Sequence, residues 1–206
     1  MSLFDSLVSE FGYNEPILTN EITYKNYSKP WIYKEMSKLC RSGRIVHFDK
    51  GVYYIPTQTA LGTSRLNPLR VVEKKYIKYK ENTFGYVSGL ALLNSIGVST
   101  QVPANIEIFT NNETAIVRDI QVGSQKVTLR KSRTNINSDN VAVLRFLEMM
   151  NTVSPSFFDE HNKAIIKEYI LTNNISRKSI TKYAPVFPDK VMRNLIESEV
   201  IYDIAQ

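Results

Sequence analysis

The residues best suited to chemistry in this chain are cations and hydroxyls rather than nucleophiles. Residues 28–50 hold Lys29, Lys34, Lys38, Arg41, Arg44 and Lys50 against only Glu35 and Asp49, with Ser28, Tyr33 and Ser37 interleaved. Long cations at this density suit phosphate oxygens, and neighbouring hydroxyls suit the hydrogen-bonding edges of bases. Residue types for covalent or metal chemistry are sparse. The single cysteine, Cys40, can form no internal disulfide, and His47 and His161 assemble no zinc-ligand spacing. No glycine-rich phosphate loop, nucleophile elbow or paired-histidine metal motif occurs. Gly123-Ser124 lacks the following carboxylates of a nucleotidyltransferase site and reads as a hairpin turn. Asp159-Glu160-His161 reads as a helix start, where carboxylates are favoured by the backbone dipole. Glu107 with Lys126 or Arg130 lacks the second strand carboxylate of a nuclease-like metal site. The expectation is a protein that is not an enzyme and uses no cofactor or metal.

The elements that must carry the cations follow from apolar spacing. Leu3, Phe4, Leu7, Val8 and Phe11 recur with helical period between Ser2 and Gly12 and predict a first helix. Residues 17–22, after Pro16, predict a short second helix. Ser28-Lys29-Pro30 predicts the start of a third, with Ile32, Met36 and Leu39 as its buried stripe and Gly43 as its stop. That stripe leaves Lys29, Tyr33, Lys34, Ser37, Lys38 and Arg41 on other faces. Residues 44–56 read as two apolar strands around an Asp49-Lys50-Gly51 turn, which puts Lys50 at a hairpin tip. Three helices and a hairpin in this order predict a winged helix-turn-helix over 1–57, with Ser28, Lys29, Tyr33, Lys34, Ser37, Lys38, Arg41 and Lys50 as its DNA-contacting residues. Trp31 is expected to pack under the hairpin or to touch the DNA backbone, and Cys40 to be a partly buried small hydrophobe.

Beyond a polar linker at 58–66, a larger domain is expected over 67–206. Its first helix opens at Asn67-Pro68, with Leu69, Val72, Tyr76 and Tyr79 on one face and Arg70, Lys74, Lys75 and Lys78 elsewhere. An apolar helix follows over 86–96, then strands at 106–110, 115–122 and 126–133 that suggest an antiparallel meander. Arg130, Lys131 and Arg133 end the last strand as a basic sheet edge, and with Arg70, Lys74, Lys75 and Lys78 are candidates for a secondary DNA-contacting surface. From 139 the pattern is helical over 141–150, 159–171, 176–183 and 189–201. The fold class expected is α+β: a winged helix, a mixed domain with a small antiparallel sheet, and a C-terminal helical cluster.

Charge is distributed unevenly. Residues 1–57 carry a net +1, residues 58–140 a net +5 and residues 141–206 none, within an overall +6. A local positive field is the electrostatic footprint of a nucleic-acid partner, although it also occurs on proteins that merely stay soluble. No long apolar run predicts a membrane span, and the start of the chain lacks the pattern of a secretory signal, so a cytoplasmic protein is expected.

Two segments carry a resemblance. Gly51-Val52-Tyr53-Tyr54-Ile55-Pro56, and the longer block 85–103 that runs Gly-Tyr-Val-Ser-Gly-Leu-Ala-Leu-Leu-Asn-Ser-Ile-Gly-Val-Ser-Thr-Gln-Val-Pro, resemble the AbiEi-type antitoxins. These are transcriptional regulators of type IV abortive-infection toxin-antitoxin systems. The resemblance implies an autorepressor that binds inverted repeats in its own promoter through the N-terminal domain. It also implies a C-terminal domain that antagonises a nucleotidyltransferase-like toxin without a stable complex. The alternative reading is a protein-interaction adaptor that binds a toxin or another partner directly through the C-terminal helices.

Overall fold

The computed structural model describes residues 2–60, 62–101 and 103–204, of residue 203 the backbone alone. Leu61, within the expected linker, and Val102, within the 85–103 block, lie outside the described residues. The fold is mixed α+β, with small antiparallel sheets, one four-stranded sheet that includes a parallel pair, and a C-terminal helical cluster. It divides into two compact units, residues 1–74 with 122–124, and residues 75–121 with 125–206.

The first unit opens with helix α1 (Leu3–Phe11), whose start is fixed by a capping box between Ser2 and Asp5. Strand β1 (Ile17–Leu18), helix α2 (Lys29–Arg41) and strands β2 (Val46–Asp49) and β3 (Val52–Tyr54) follow. The three strands form one antiparallel sheet in the order β1-β3-β2. The expected helix over 17–22 is absent. Ile17 and Leu18 instead pair with Tyr53 and Val52, and turns follow at residues 19–21 and 25–26. Six residues cannot offset the cost of helix nucleation, and the β-branched Ile17 fits a pleated edge better. The core between these elements is built from Leu3, Leu7, Ile17, Ile22, Ile32, Met36, Ile45 and Ile55, all nearly inaccessible to solvent.

Residues read as a linker hold a ribbon, β4 (Gln58–Thr59) with β5 (Gly62–Thr63), tied back to the first unit. Asn14 Nδ2 donates to Thr57 Oγ1 at 3.0 Å, Thr57 N donates to Ser64 Oγ at 2.9 Å, and the Ser64 hydroxyl donates to Asn14 Oδ1. Helix α3 (Pro68–Tyr76) begins where expected, with Asn67 Oδ1 accepting from Leu69 N, but stops three residues short of Tyr79. It buries Val71 and Val72 and leaves Leu69 exposed.

In the second unit, ribbon β6 (Lys78–Tyr79) with β7 (Asn82–Thr83) precedes strand β8 (Gly85–Ser88) and helix α4 (Gly89–Ser95). The block expected as one helix is therefore a strand that turns into a helix at Gly89, whose φ of +61° suits a residue without a side chain. Strands β9 (Asn105–Thr110), β10 (Val117–Val122) and β11 (Gln125–Lys131) complete a sheet in the order β10-β11-β9-β8. The expected meander is corrected here: β11 crosses to the far side of β9 and pairs with it in parallel, Thr128 beside Glu107, while β8 and β9 pair antiparallel.

Helices α5 (Val141–Thr152), α6 (Glu160–Thr172), α7 (Arg177–Tyr183), α8 (Asp189–Glu197) and α9 (Val200–Asp203) form the C-terminal cluster. Asp159 and Ser176 cap α6 and α7 through their side chains. The last expected helix is two, broken at Glu199 with φ of +62°. Phe146, Leu147, Met149 and Met150 make α5 the buried axis of a core that also takes Tyr86, Leu92, Phe109, Ile166, Val191 and Leu195.

Candidate nucleic-acid interface

Helix α2 buries Ile32 and Met36, and Leu39 packs beside them, as the apolar spacing requires. The opposite face is therefore forced outward. Ser28, Lys29, Tyr33, Lys34, Ser37, Lys38, Arg41 and the hairpin residue Lys50 are all exposed. Exposure does not make them equivalent. Lys38 Nζ lies 2.5 Å from Glu35 Oε1 one turn away, and Ser37 Oγ donates back to Tyr33 O at 3.0 Å. The Lys29 ammonium turns back to the loop before the helix, donating to Ile22 O at 2.6 Å, Asn20 O at 3.1 Å and Thr19 O at 3.5 Å. Lys34, Arg41 and Lys50 have no ion-pair partner among the described residues.

At the hairpin tip, Asp49 Oδ1 accepts from Lys50 N at 2.7 Å and Gly51 takes a φ of +70°, so the turn directs the Lys50 side chain to solvent. Gly51 O accepts from Thr19 N at 3.0 Å, which joins the tip to the segment that follows β1. Arg44, counted among the local cations, stacks over the Phe4 ring at 3.7 Å. His47 stands edge-on to Tyr53 at 5.0 Å. Burial pushes the Cys40 thiol above its ordinary value, consistent with its partly buried position.

Trp31 is partly buried and packs against the core of the first unit. Its ring stacks on Tyr27 at 3.9 Å and on Tyr24 at 5.9 Å, so three aromatics build the corner that leads into α2. The i, i+4 spacing of Tyr27 and Trp31 is the sequence signal for this pair, although Tyr27 stands outside the helix proper.

The second set of sequence-predicted cations is largely engaged. In the first unit Arg70 pairs with Glu15, and Lys74 pairs with Glu21 at 2.7 Å, donates to Pro16 O and covers the Phe11 ring. In the second unit Arg130 Nε meets Glu107 Oε1 at 2.6 Å. Arg133 faces buried Glu148 at 3.4 Å, with the Phe109 and Phe187 rings each 5.1 Å from its guanidinium. These four cations therefore each have a carboxylate partner, while Arg70 and Arg130 keep a substantial part of their side chains in solvent. Lys78 and Lys131 are exposed and Lys75 is partly so.

Sequence reasoning missed Arg118, which grips Glu113 through Nε at 2.7 Å and through the terminal nitrogen at 2.6 Å. Glu113 Oε1 also accepts from Thr114 N and Ala115 N, so one buried carboxylate organises the turn before β10. Glu107, the strand carboxylate considered for metal chemistry, is spent on Arg130. Among the described residues no group of three or more His, Cys, Asp and Glu side chains could hold a metal ion. Among the same residues no helix is long and apolar enough to cross a membrane.

Residues 17–177 match the family described as Family of unknown function (DUF6088), and the chain belongs to that family. No curated protein matches the chain.

Proposed function

We propose that the N-terminal unit is a winged-helix DNA-binding module in which turns replace the second helix. In this reading α2 lies in the major groove and the β2–β3 hairpin lies beside it on the backbone. The observation that carries the reading is the order α1, β1, α2, β2, β3 around a three-stranded β1-β3-β2 sheet, with the outward face of α2 lined by Tyr33, Lys34, Ser37 and Arg41. Lys34, Arg41 and Lys50 contact phosphates, while Tyr33 and Ser37 approach base edges.

The chain as a whole is a cytoplasmic, non-catalytic autorepressor and antitoxin of a type IV toxin-antitoxin system. Two copies read an inverted repeat in its own promoter. The antitoxin half rests on the resemblance of residues 51–56 and 85–103. The test is fluorescence anisotropy of the purified chain with the duplex upstream of its own coding sequence, against a scrambled duplex of equal length, at about 150 mM salt. Preference for the natural duplex is expected, and equal binding to both overturns the reading.

A second reading has its own observation. Met192 and Ile196, on successive turns of α8, are exposed, as are Leu171 and Tyr202. Apolar groups displayed in this way favour a protein-interaction adaptor. Co-purification with the product of the neighbouring gene, surviving high salt and nuclease, is the outcome that reading expects.

A further inference from the structure

We infer that Lys29 is a positioning residue of the DNA interface, holding the recognition helix and the hairpin tip in register, rather than a phosphate contact. The inference rests on the winged-helix reading above. Three carbonyl oxygens from one turn, those of Thr19, Asn20 and Ile22, converge on its ammonium, at 3.5, 3.1 and 2.6 Å. An ammonium has three donors and no acceptor, so this arrangement can satisfy its hydrogen-bonding capacity in full. Lys29 is also the first residue of α2. A cation there opposes the positive end of the helix dipole, and carbonyls drawn from outside the helix offset that cost.

The same turn reaches the hairpin. Thr19 N donates to Gly51 O at 3.0 Å, and a Cβ on Gly51 would lie 3.2 Å from Thr19 Oγ1. A continuous link therefore runs from the hairpin tip through Thr19 to the Lys29 ammonium and the first turn of α2. Where a full second helix would brace the recognition helix, this chain has turns, whose carbonyls lack helical partners. One side chain gathers them and ties both DNA-facing elements together.

The test compares K29M, K29R and K34M in the full-length chain, with the promoter duplex titrated across a range of salt. A phosphate contact contributes about 0.9 to the slope of log affinity on log salt. K34M is expected to lower the slope by that amount. K29M is expected to leave the slope unchanged and to weaken binding roughly tenfold at every salt concentration, the size of one lost charge-assisted hydrogen-bond set. K29R keeps the charge but replaces three convergent donors by a planar fork, and is expected to weaken binding as K29M does. A lowered slope in K29M, or full binding by K29R, overturns the inference.

A readout without DNA separates this inference from the reading it rests on. In the free protein the Lys29 ammonium should give a protected nitrogen-15 NMR signal, and K29M should shift the Thr19 and Gly51 amides. If the duplex is not bound at all, the DNA reading falls, while these spectra still decide whether the clamp exists. Absence of the protected signal overturns the clamp itself.

Discussion

At the residue scale the cations of this chain divide by what lies opposite them, which a sequence cannot state. Lys34 and Lys29 are both exposed lysines near the start of one helix, yet one projects outward and the other is folded back on three carbonyls. Arg133 is a case at the edge of the core. It faces Glu148, which is almost inaccessible to solvent, and Tyr86 stands beside them. Burial, and then the neighbouring Glu148, push the Tyr86 phenol far above its ordinary value, so it stays protonated. Removing one partner of a buried pair strands the other charge, whereas removing both can be nearly neutral. Only Glu148 is fully buried here and solvent screens the partly exposed guanidinium, so R133M is expected to lose about 1–2 kcal/mol in urea denaturation, and R133M/E148M to recover most of that loss.

Glu113 makes a pH prediction. Burial raises its pKa, but the Ala115 and Thr114 amides and Arg118 outweigh burial, and its carboxyl sits below the ordinary glutamate value. A carboxylate depressed on folding contributes stability above its unfolded pKa, about 4.3, and loses that contribution as pH falls through the lower folded value. The Thr114 and Ala115 amide shifts should therefore hold constant down to about pH 4.3 and move only below it. E113Q should abolish that transition.

At the element scale, legibility followed periodicity. The stripes of α1, α2, α5 and α6 were readable because each repeats along the helix against a core, while the short α7 was marked by its Ser176 cap. Residues 17–22 failed because Ile17, Leu18 and Ile22 are apolar in either conformation, and only pairing with β3 decides between them. Residues 86–96 failed for a related reason: a run that is apolar but for Ser88, Gly89, Asn94 and Ser95 carries no clear period, so the change from strand to helix at Gly89 left no mark in hydropathy. The parallel pairing of β9 with β11 is a long-range choice that no local pattern encodes.

Gly85 shows how tightly that sheet is fitted. A Cβ there would lie 1.9 Å from Tyr76 O and 2.9 Å from Phe109 O, both backbone atoms that cannot rotate away. G85A is expected to cost about 3 kcal/mol or more, beyond the usual range for overpacking, because the backbone itself must move. G97A meets nothing within 4 Å, and its cost arises only from a φ of +81°, about 1 kcal/mol. Urea midpoints of the two variants should rank in that order, and equal midpoints would count against the β8 placement.

For the whole molecule, the net charge of +6 matters through where it remains uncompensated. Part of the net +5 of residues 58–140 is offset from outside that segment, because Arg70 and Lys74 face Glu15 and Glu21, whereas Glu113 and Glu107, which face Arg118 and Arg130, already enter that sum. Exposed there without a carboxylate partner among the described residues are Arg65, Lys78, Lys80, Lys126 and Lys131, with Lys75 partly exposed. In the first unit Lys34, Arg41 and Lys50 are exposed on the two elements proposed to meet the duplex, and Lys25 is exposed before α2. Phosphate contacts set affinity and its salt dependence, while sequence preference belongs to base contacts and to the elements that orient them. K34A/R41A/K50A should therefore lower the salt slope by about 2.7 and, by loosening the docking of α2, reduce preference for the natural duplex. K75A/K78A/K131A should lower the slope by at most the same amount, about 2.7, and leave that preference intact, since lysines outside the recognition helix add only to the field. Anisotropy titrations of both variants on natural and scrambled duplexes separate the two effects. Loss of sequence preference in the second variant alone would move the reading surface from α2 to the second unit.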